Sequence, residues 1–436
     1  MSATVPTIEA FNNLVDRVTA LENPSPPVDI PDVLPSRIAD LVEMLGVNTF
    51  SSMEANVNVW GSWPADYSPA SVIAALQWLT NNSGFQLRLR EYHYNGRESI
   101  QIPWLTAIRA ALPDTLTSIC VGANGSVNDI PTMIDMQVNT SLGVAWLEGI
   151  NEPNTDFGSG EVPKETTLSI QQKLYEGAEA NSVIGPSIVA GMPHPEGWIT
   201  GYFGDDIDKI NAIINYGNGH YYPPSYPVPS GTGWSVDEYV GGLWSAYAQH
   251  AIHITEFHST LYSNNTTAPS SRDGYYLLLT WLTCHKHGTQ GLWWYALFDY
   301  GNTYKCGLFP QSYANEPRSS AYAIRNLCSV VSDHGDRHNF MTNNLKVAVN
   351  GLPNGADWHL YQASNGTYYI ALWYGSINRN DKPAVPITIN FDKPVALLED
   401  FDLLEDQAPK LINNADNRAV YNTYITPGVR MLVITP

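Results

Sequence analysis

The chain has 436 residues, 44% hydrophobic and only 15% charged, which suffices for a large buried core and excludes a disordered polymer. Its formal net charge of −20 excludes the clustered Lys and Arg that a phosphate backbone demands, so no nucleic-acid partner is expected. No run of about 18 apolar residues occurs, so no membrane span is expected.

Residues 7–22 read as an amphipathic helix, with Phe11, Leu14, Val18 and Leu21 on one stripe that Ile8 and Val15 widen. The stripe has no nearby core to cover. It is expected to pair with copies of itself in a homo-oligomer, a trimer by preference, or else to dock as a cap on the barrel. The stretch "NPSPPVDIPDVLP" cannot be helical and reads as a linker, so 1–24 is assigned as the helix and 25–39 as the linker. The first residues lack a charged segment followed by an apolar one, so no secretory signal is expected in this sequence.

From about residue 40, strand and helix patterns alternate, which signals parallel β/α units. The expected strands, in order, are "GVNTFSSM", "FQLRLREY", "LTSICVGAN", "GVAWLEGINEP", "SIVAGMPH", "GNGHYYPP", "IHITEFHST" and "GLWWYALFDY". Helical patterns such as "SPASVIAALQWLTNN" and "TTLSIQQKLYEGAEAN" lie between them, and "SSAYAIRNLCSVVSDH" closes the series. The fold class is therefore α/β, with a (β/α)8 TIM barrel over 40–336. A doubly wound sheet is the alternative, but its phosphate-binding glycine fingerprint is missing. Beyond residue 337, "LKVAVNG", "WHLYQAS", "GTYYIALWYG", "VPITINF" and "GVRMLVITP" are short strands between turns, so 337–436 is assigned as a C-terminal β-sandwich. Cys120, Cys284, Cys306 and Cys328 show no metal-ligand spacing and are too few for a disulfide scaffold.

Side chains at the C-terminal ends of barrel strands face the site. That rule selects Asn151 and Glu152 on strand four, in "GINEPNTDF", and Glu256 on strand seven, in "IHITEF". Two carboxylic acids meeting across a barrel mouth suit glycosidic-bond cleavage: one protonates the leaving oxygen, and the other attacks the sugar carbon or activates water. A basic neighbour decides which acid ionises. Arg88 and Arg90 share parity and both can point inward. Arg90, nearer the strand end, is expected beside Glu256. Glu148 shares parity with Glu152 and is expected to pair with Arg88.

Other residues carry less. His253, of opposite parity to Glu256, is expected between barrel and helices, and "HITEFH" lacks the HExxH spacing, so no metal site is expected there. "HKH" at 285–287 reads as the charged last turn of a helix. His93, Asn124 and His194 at strand ends are either contacts to sugar hydroxyls or loop residues, and Asp299, Asn302 and Lys305 after strand eight are candidates to line a subsite. No cofactor is expected.

Asn-Glu-Pro at 151–153, Thr255-Glu256 and the His220-Tyr221-Tyr222 run on strand six together resemble the large clan of retaining glycoside hydrolases built on this barrel. The likeness spans roughly 40–335, and the added sandwich resembles the β-xylosidase, β-glucuronidase and arabinofuranosidase families. The resemblance implies Glu152 as general acid/base, Glu256 as nucleophile, Asn151 on the sugar 2-hydroxyl, Tyr222 as a donor to Glu256, and His220 in the site. It implies Trp294 as the subsite floor, with the adjacent Trp293 an open alternative. It implies a carbohydrate substrate and no metal. A catalytically weak carbohydrate-binding or virion structural protein on the same barrel is the alternative, and a transglycosidase a third reading. "VTALE" resembles the trimerising helices of phage-tail and other fibre-borne enzymes, which implies action on extracellular polysaccharide.

Overall fold

The structure, a computed structural model, describes residues 30, 33–51, 67–81, 83–94, 96–123, 125–155, 161–189, 194–222, 235–248, 250–258, 272–299, 306–310, 316–333, 345–375, 383–404 and 408–435. The expected helix over 7–22, residues 25–29, 31 and 32 of the linker, Asn124, Asn302 and Lys305 lie outside them.

Eight parallel strands close a barrel: β2 (Leu45–Asn48), β3 (Arg88–His93), β4 (Thr117–Val121), β5 (Val144–Ile150), β6 (Val183–Ile184), β7 (Tyr216–Tyr221), β8 (Ala251–Phe257) and β9 (Gly291–Trp294). The fifth barrel strand is Val183–Ile184, just before the expected "SIVAGMPH". It is only two residues long, too short for any periodicity to show.

Helices alternate with the strands: α1 (Ile38–Glu43), α2 (Pro69–Thr80), α3 (Glu98–Ala111), α4 (Ile130–Val138), α5 (Lys164–Gly177), α6 (Pro195–Phe203), α7 (Ile207–Asn211), α8 (Val236–Ala246), α9 (Arg272–Lys286) and α10 (Ser319–Val330). Their sequences explain their limits. In α2, Ser68 and Ser71 cap each other reciprocally, Pro69 opens the first turn, and Asn81 ends the helix in the left-handed region. Val72, Ala75, Leu76 and Leu79 then share one buried face against the barrel.

The C-terminal part contains β10 (Val347–Asn350), β11 (Ala356–Gln362), β12 (Tyr368–Tyr374), β13 (Val385–Asp402), β14 (Lys410–Ile425) and β15 (Gly428–Thr435). β13 runs 18 residues, far past the expected "VPITINF", and shifts register between Asn390 and Val395. Its first half pairs with β10 and its second with β15, so one long strand joins the two layers around a common core. Alternation on β12 divides its buried side chains. Ile370 and Leu372 enter the sandwich core, while Tyr369, Ala371 and Trp373 pack with the barrel's helix layer. Polar bonds fix the same seam: Tyr275 Oη donates to Tyr374 O at 2.5 Å and Asn326 Nδ2 to Leu403 O at 3.0 Å.

The linker assignment needs correction at its end. β1 (Ser36–Arg37) adds in parallel to Tyr361–Gln362 of β11, and Ile38 and Ala39 are fully buried. The chain therefore joins the C-terminal sheet before it enters the barrel. All four cysteines are free and buried.

Candidate active site

The barrel interior is filled in layers. At the N-terminal end, Arg88, Trp146 and Trp293 meet His253. The Arg88 guanidinium lies 4.7 Å from the Trp146 ring and the His253 ring 5.4 Å from that of Trp293. Gly46 is required here, because a Cβ would meet Trp293 Cδ1 at 2.3 Å. This layer corrects two expectations. Arg88 donates to Gln290 O at 2.6 Å rather than pairing with Glu148. His253 lies inside the barrel, neutral because burial pushes its pKa well down, and not between barrel and helices.

The next layer is polar and fully buried. Arg90 donates from Nε to Glu148 Oε2 and from Nη2 to Glu148 Oε1, both at 2.7 Å. Asn218 Nδ2 and Thr255 Oγ1 each reach Glu148 Oε1 at 2.9 Å. Arg90 Nη1 donates upward to Glu256 Oε1 at 2.7 Å, and Nη2 to Asn151 Oδ1 at 2.9 Å.

The mouth holds the carboxylates. On β7, plain alternation turns Asn218, His220 and Tyr222 inward, while Tyr221 joins the helix-side core. On β8, Thr255 and Glu256 are neighbours, yet both face inward, because the pairing with β7 slips by one residue after Gly219. β5 slips likewise near Gly149, so Glu148 and Asn151 both reach Arg90 although they are three positions apart. Glu152 follows with φ +47°, a left-handed conformation that a residue with a Cβ adopts at a cost of about 1–3 kcal/mol.

Tyr222 Oη donates to Glu256 Oε2 at 2.5 Å, and Tyr92 Oη donates to Glu256 Oε1. His220 Nδ1 lies 2.6 Å from Glu152 Oε1 and 3.5 Å from Glu256 Oε2. Burial pushes the Glu256 carboxyl up, but the His220 ring, the Arg90 guanidinium and the two tyrosine hydroxyls outweigh it. They hold Glu256 below the usual carboxylate range. Glu152 is the more open of the two, with 15% of its side chain exposed against 4% for Glu256. Donor atoms of Glu152, His220 and Glu256 lie within 4.8 Å of one another. Arg90, Tyr92 and Tyr222 already supply the positive charge and protons that Glu256 needs, so no cation is assigned there. Burial pushes the Cys120 thiol well up, which excludes it as a nucleophile.

The aromatic floor is a correction. Trp294 is 1% exposed, its indole Nε1 donates to Cys306 O at 3.1 Å, and its ring packs edge-on to Phe257 on the helix side. Trp293 is committed to the lower layer. Tyr295, the next inward residue, packs with Phe50 and Tyr92 and meets the Tyr222 ring at 6.3 Å. Sequence reading missed Tyr295, Tyr92, Phe50 and Asn48, which accepts from Arg90 Nη1 at 2.9 Å. The shared parity of Arg90 and Tyr92 was the available signal. His93 is buried against Gln101, His194 is far more exposed than any mouth residue, and Asp299 is locked to Arg318 by two bonds of 2.5 and 2.6 Å, so none of these faces the carboxylates.

Glu91 points the other way and pins the turn that carries Phe50. It accepts from Thr49 Oγ1, from Ser51 N at 2.9 Å and from Ser51 Oγ at 2.7 Å. Burial outweighs these donors and pushes its carboxyl up to about 7 from the ordinary 4.5. The folded state then holds a proton that the unfolded chain releases. The stability this adds is present below about pH 4.5 and is lost as pH rises towards 7, a change of about 3 kcal/mol. Thermal unfolding should show a wild-type loss across that window that Glu91→Gln lacks. Parallel pH profiles for the two proteins would contradict it.

No family model matches the sequence, and no curated protein matches it. Solved structures do. The catalytic domain of a GH30 xylanase C from Talaromyces cellulolyticus has TM-score 0.57 at 11% identity, covering 93% of this chain and 99% of its own. A glucosidase from Croceicoccus marinus has TM-score 0.61 at 10% identity, covering 93% and 97%. The glycoside hydrolase family 30 subfamily 8 xylanase Xyn30A from Clostridium acetobutylicum has TM-score 0.56 at 12% identity, covering 94% and 98%. At these identities the likeness establishes the fold, and it spans both the barrel and the sandwich.

Proposed function

We propose that this chain is a retaining glycoside hydrolase that cleaves O-glycosidic bonds of an oligo- or polysaccharide, with Glu256 as nucleophile and Glu152 as general acid/base. One observation carries the reading: an oxygen of Glu152 and an oxygen of Glu256 lie within 4.8 Å of each other. Retaining enzymes place their carboxyls about 5–5.5 Å apart, whereas inverting ones leave about 6.5–9.5 Å for a water. The fold shared with two xylanases and a glucosidase supports a glycoside as substrate.

The division of roles follows from the surroundings. Glu256 is buried, ionised and oriented by Arg90, Tyr92 and Tyr222, as an attacking carboxylate must be. Glu152 is more open and can exchange its proton with water. In the first step a Glu256 oxygen bonds to the anomeric carbon while Glu152 gives its proton to the departing oxygen. In the second, Glu152 takes a proton from water, whose oxygen displaces Glu256 from that carbon. The Asn151 carbonyl is taken by Arg90 Nη2, which leaves its amide hydrogens for the sugar 2-hydroxyl. Tyr295 supplies the apolar face beneath the reacting ring. Association through residues 7–22 and action on extracellular polysaccharide belong to the same proposal.

Tyr222→Phe should keep the fold and lose about 2–4 kcal/mol of transition-state stabilisation, because one donor to the departing Glu256 charge is gone. Steady-state rates across pH check this, and a variant as fast as wild type throughout would remove Tyr222 from the mechanism. The reading as a whole is tested by a panel of aryl glycosides and polysaccharides, with NMR of the first sugar released. Retained anomeric configuration is expected. Inversion would sink the two-step scheme.

A further inference from the structure

Glu148 touches no part of the cleft, yet it takes the larger share of Arg90. The two bonds from Nε and Nη2 hold the guanidinium edge-on, a geometry in which a planar fork has no rotational freedom. Asn218 and Thr255 pin Glu148 in turn. Nη1 is left for Glu256, Asn48 and Tyr92, and the second hydrogen of Nη2 for Asn151, so Glu256 is the one charged group that Nη1 meets.

We propose that Glu148 is a positioning residue: by holding one edge of Arg90, it fixes how that cation is divided between the two carboxylates and so sets the basicity of Glu256. The inference rests on the reading of Glu256 as nucleophile. Other groups also face Glu256. Tyr92 and Tyr94 come from β3 and its end, Cys120 from β4, Glu152 from the end of β5, and His220 and Tyr222 from β7. Among the described residues, Arg90 alone is ion-paired with both Glu148 and Glu256. Were Glu148 uncharged, the whole Arg90 charge would fall on Glu256, which would then be ionised to lower pH but would attack more weakly.

The test is the acid limb of kcat/KM for an activated aryl glycoside, which reports the nucleophile of the free enzyme. Glu148→Gln keeps the shape and removes the charge. Its acid limb should move down by about one pH unit, and formation of the glycosyl-enzyme should slow about tenfold, with KM little changed. Thr255→Val removes a hydroxyl donor that Glu148 Oε1 and Asn218 Oδ1 share, leaves more of the Glu148 charge on Arg90, and should move the limb the other way by less. If Glu148→Gln does not fold, Thr255→Val decides alone. Limbs that stay in place in an active enzyme overturn the inference and leave the catalytic pair standing. A wild-type chain with no turnover overturns the pair, and the inference with it.

Discussion

Glu256→Gln is expected to abolish turnover, by a factor on the order of 10⁴–10⁶, whereas Glu152→Gln spares the first step on substrates with good leaving groups. The two substitutions look equivalent on paper, since each replaces one carboxylate of the pair by an isosteric amide. Their surroundings make them unequal. Glu256 receives Arg90, Tyr92 and Tyr222, three donors that an amide nitrogen would oppose, and nothing nearby can replace its attack on carbon. Glu152 is held chiefly by His220 and supplies a proton that an activated phenolate does not need. General acid help is worth about 10²–10⁴-fold, so that loss should appear on alkyl but not on nitrophenyl leaving groups. Stopped-flow and steady-state rates on both substrate types separate the cases. Equal losses in both variants on every substrate would mean that the roles are not divided in this way.

Arg90→Met is expected to cost the largest share of stability of any single substitution in the barrel interior. Arg90 is fully buried and ion-paired to two carboxylates that are themselves almost wholly buried. Removing the cation leaves Glu148 and Glu256 facing each other without a counter-charge, and breaking a buried pair of this kind costs about 3–5 kcal/mol. The bonds to Asn48 and Asn151 go with it. Urea denaturation should show a strongly lowered midpoint with an unchanged slope, or no folded protein at all. A variant of wild-type stability would mean that other groups, not Arg90, keep the carboxylates in place.

The parts of the molecule legible in the sequence are those governed by plain periodicity. On β3, Arg88, Arg90 and Tyr92 alternate inward, and on β7 so do Asn218, His220 and Tyr222, hence the placing of Arg90 beside Glu256 from "FQLRLREY" alone. The register slips on β5 and β8 leave no trace in residue type. Parity counted through the slip on β8 puts His253 on the wrong side of the barrel, whereas Glu148 does face inward but meets Arg90, one layer above the expected Arg88. The resemblance points to a tryptophan, Trp294 or the adjacent Trp293, and so passes over Tyr295, to which inward parity from Trp293 leads. β14 was missed for a different reason. "KLINNADNRAVYNTYI" is mostly exposed and polar, so it carries almost no hydrophobic alternation, and its strand character comes from pairing with β13.

The most direct test is to trap the covalent intermediate with a 2-deoxy-2-fluoro glycoside bearing a good leaving group and to map it by peptide mass spectrometry. A single sugar attached to Glu256 in "IHITEF" is the expected result, lost again when an acceptor releases it. A sugar on Glu152, or an enzyme that turns over glycosides but forms no adduct, would contradict the assignment of Glu256 as nucleophile.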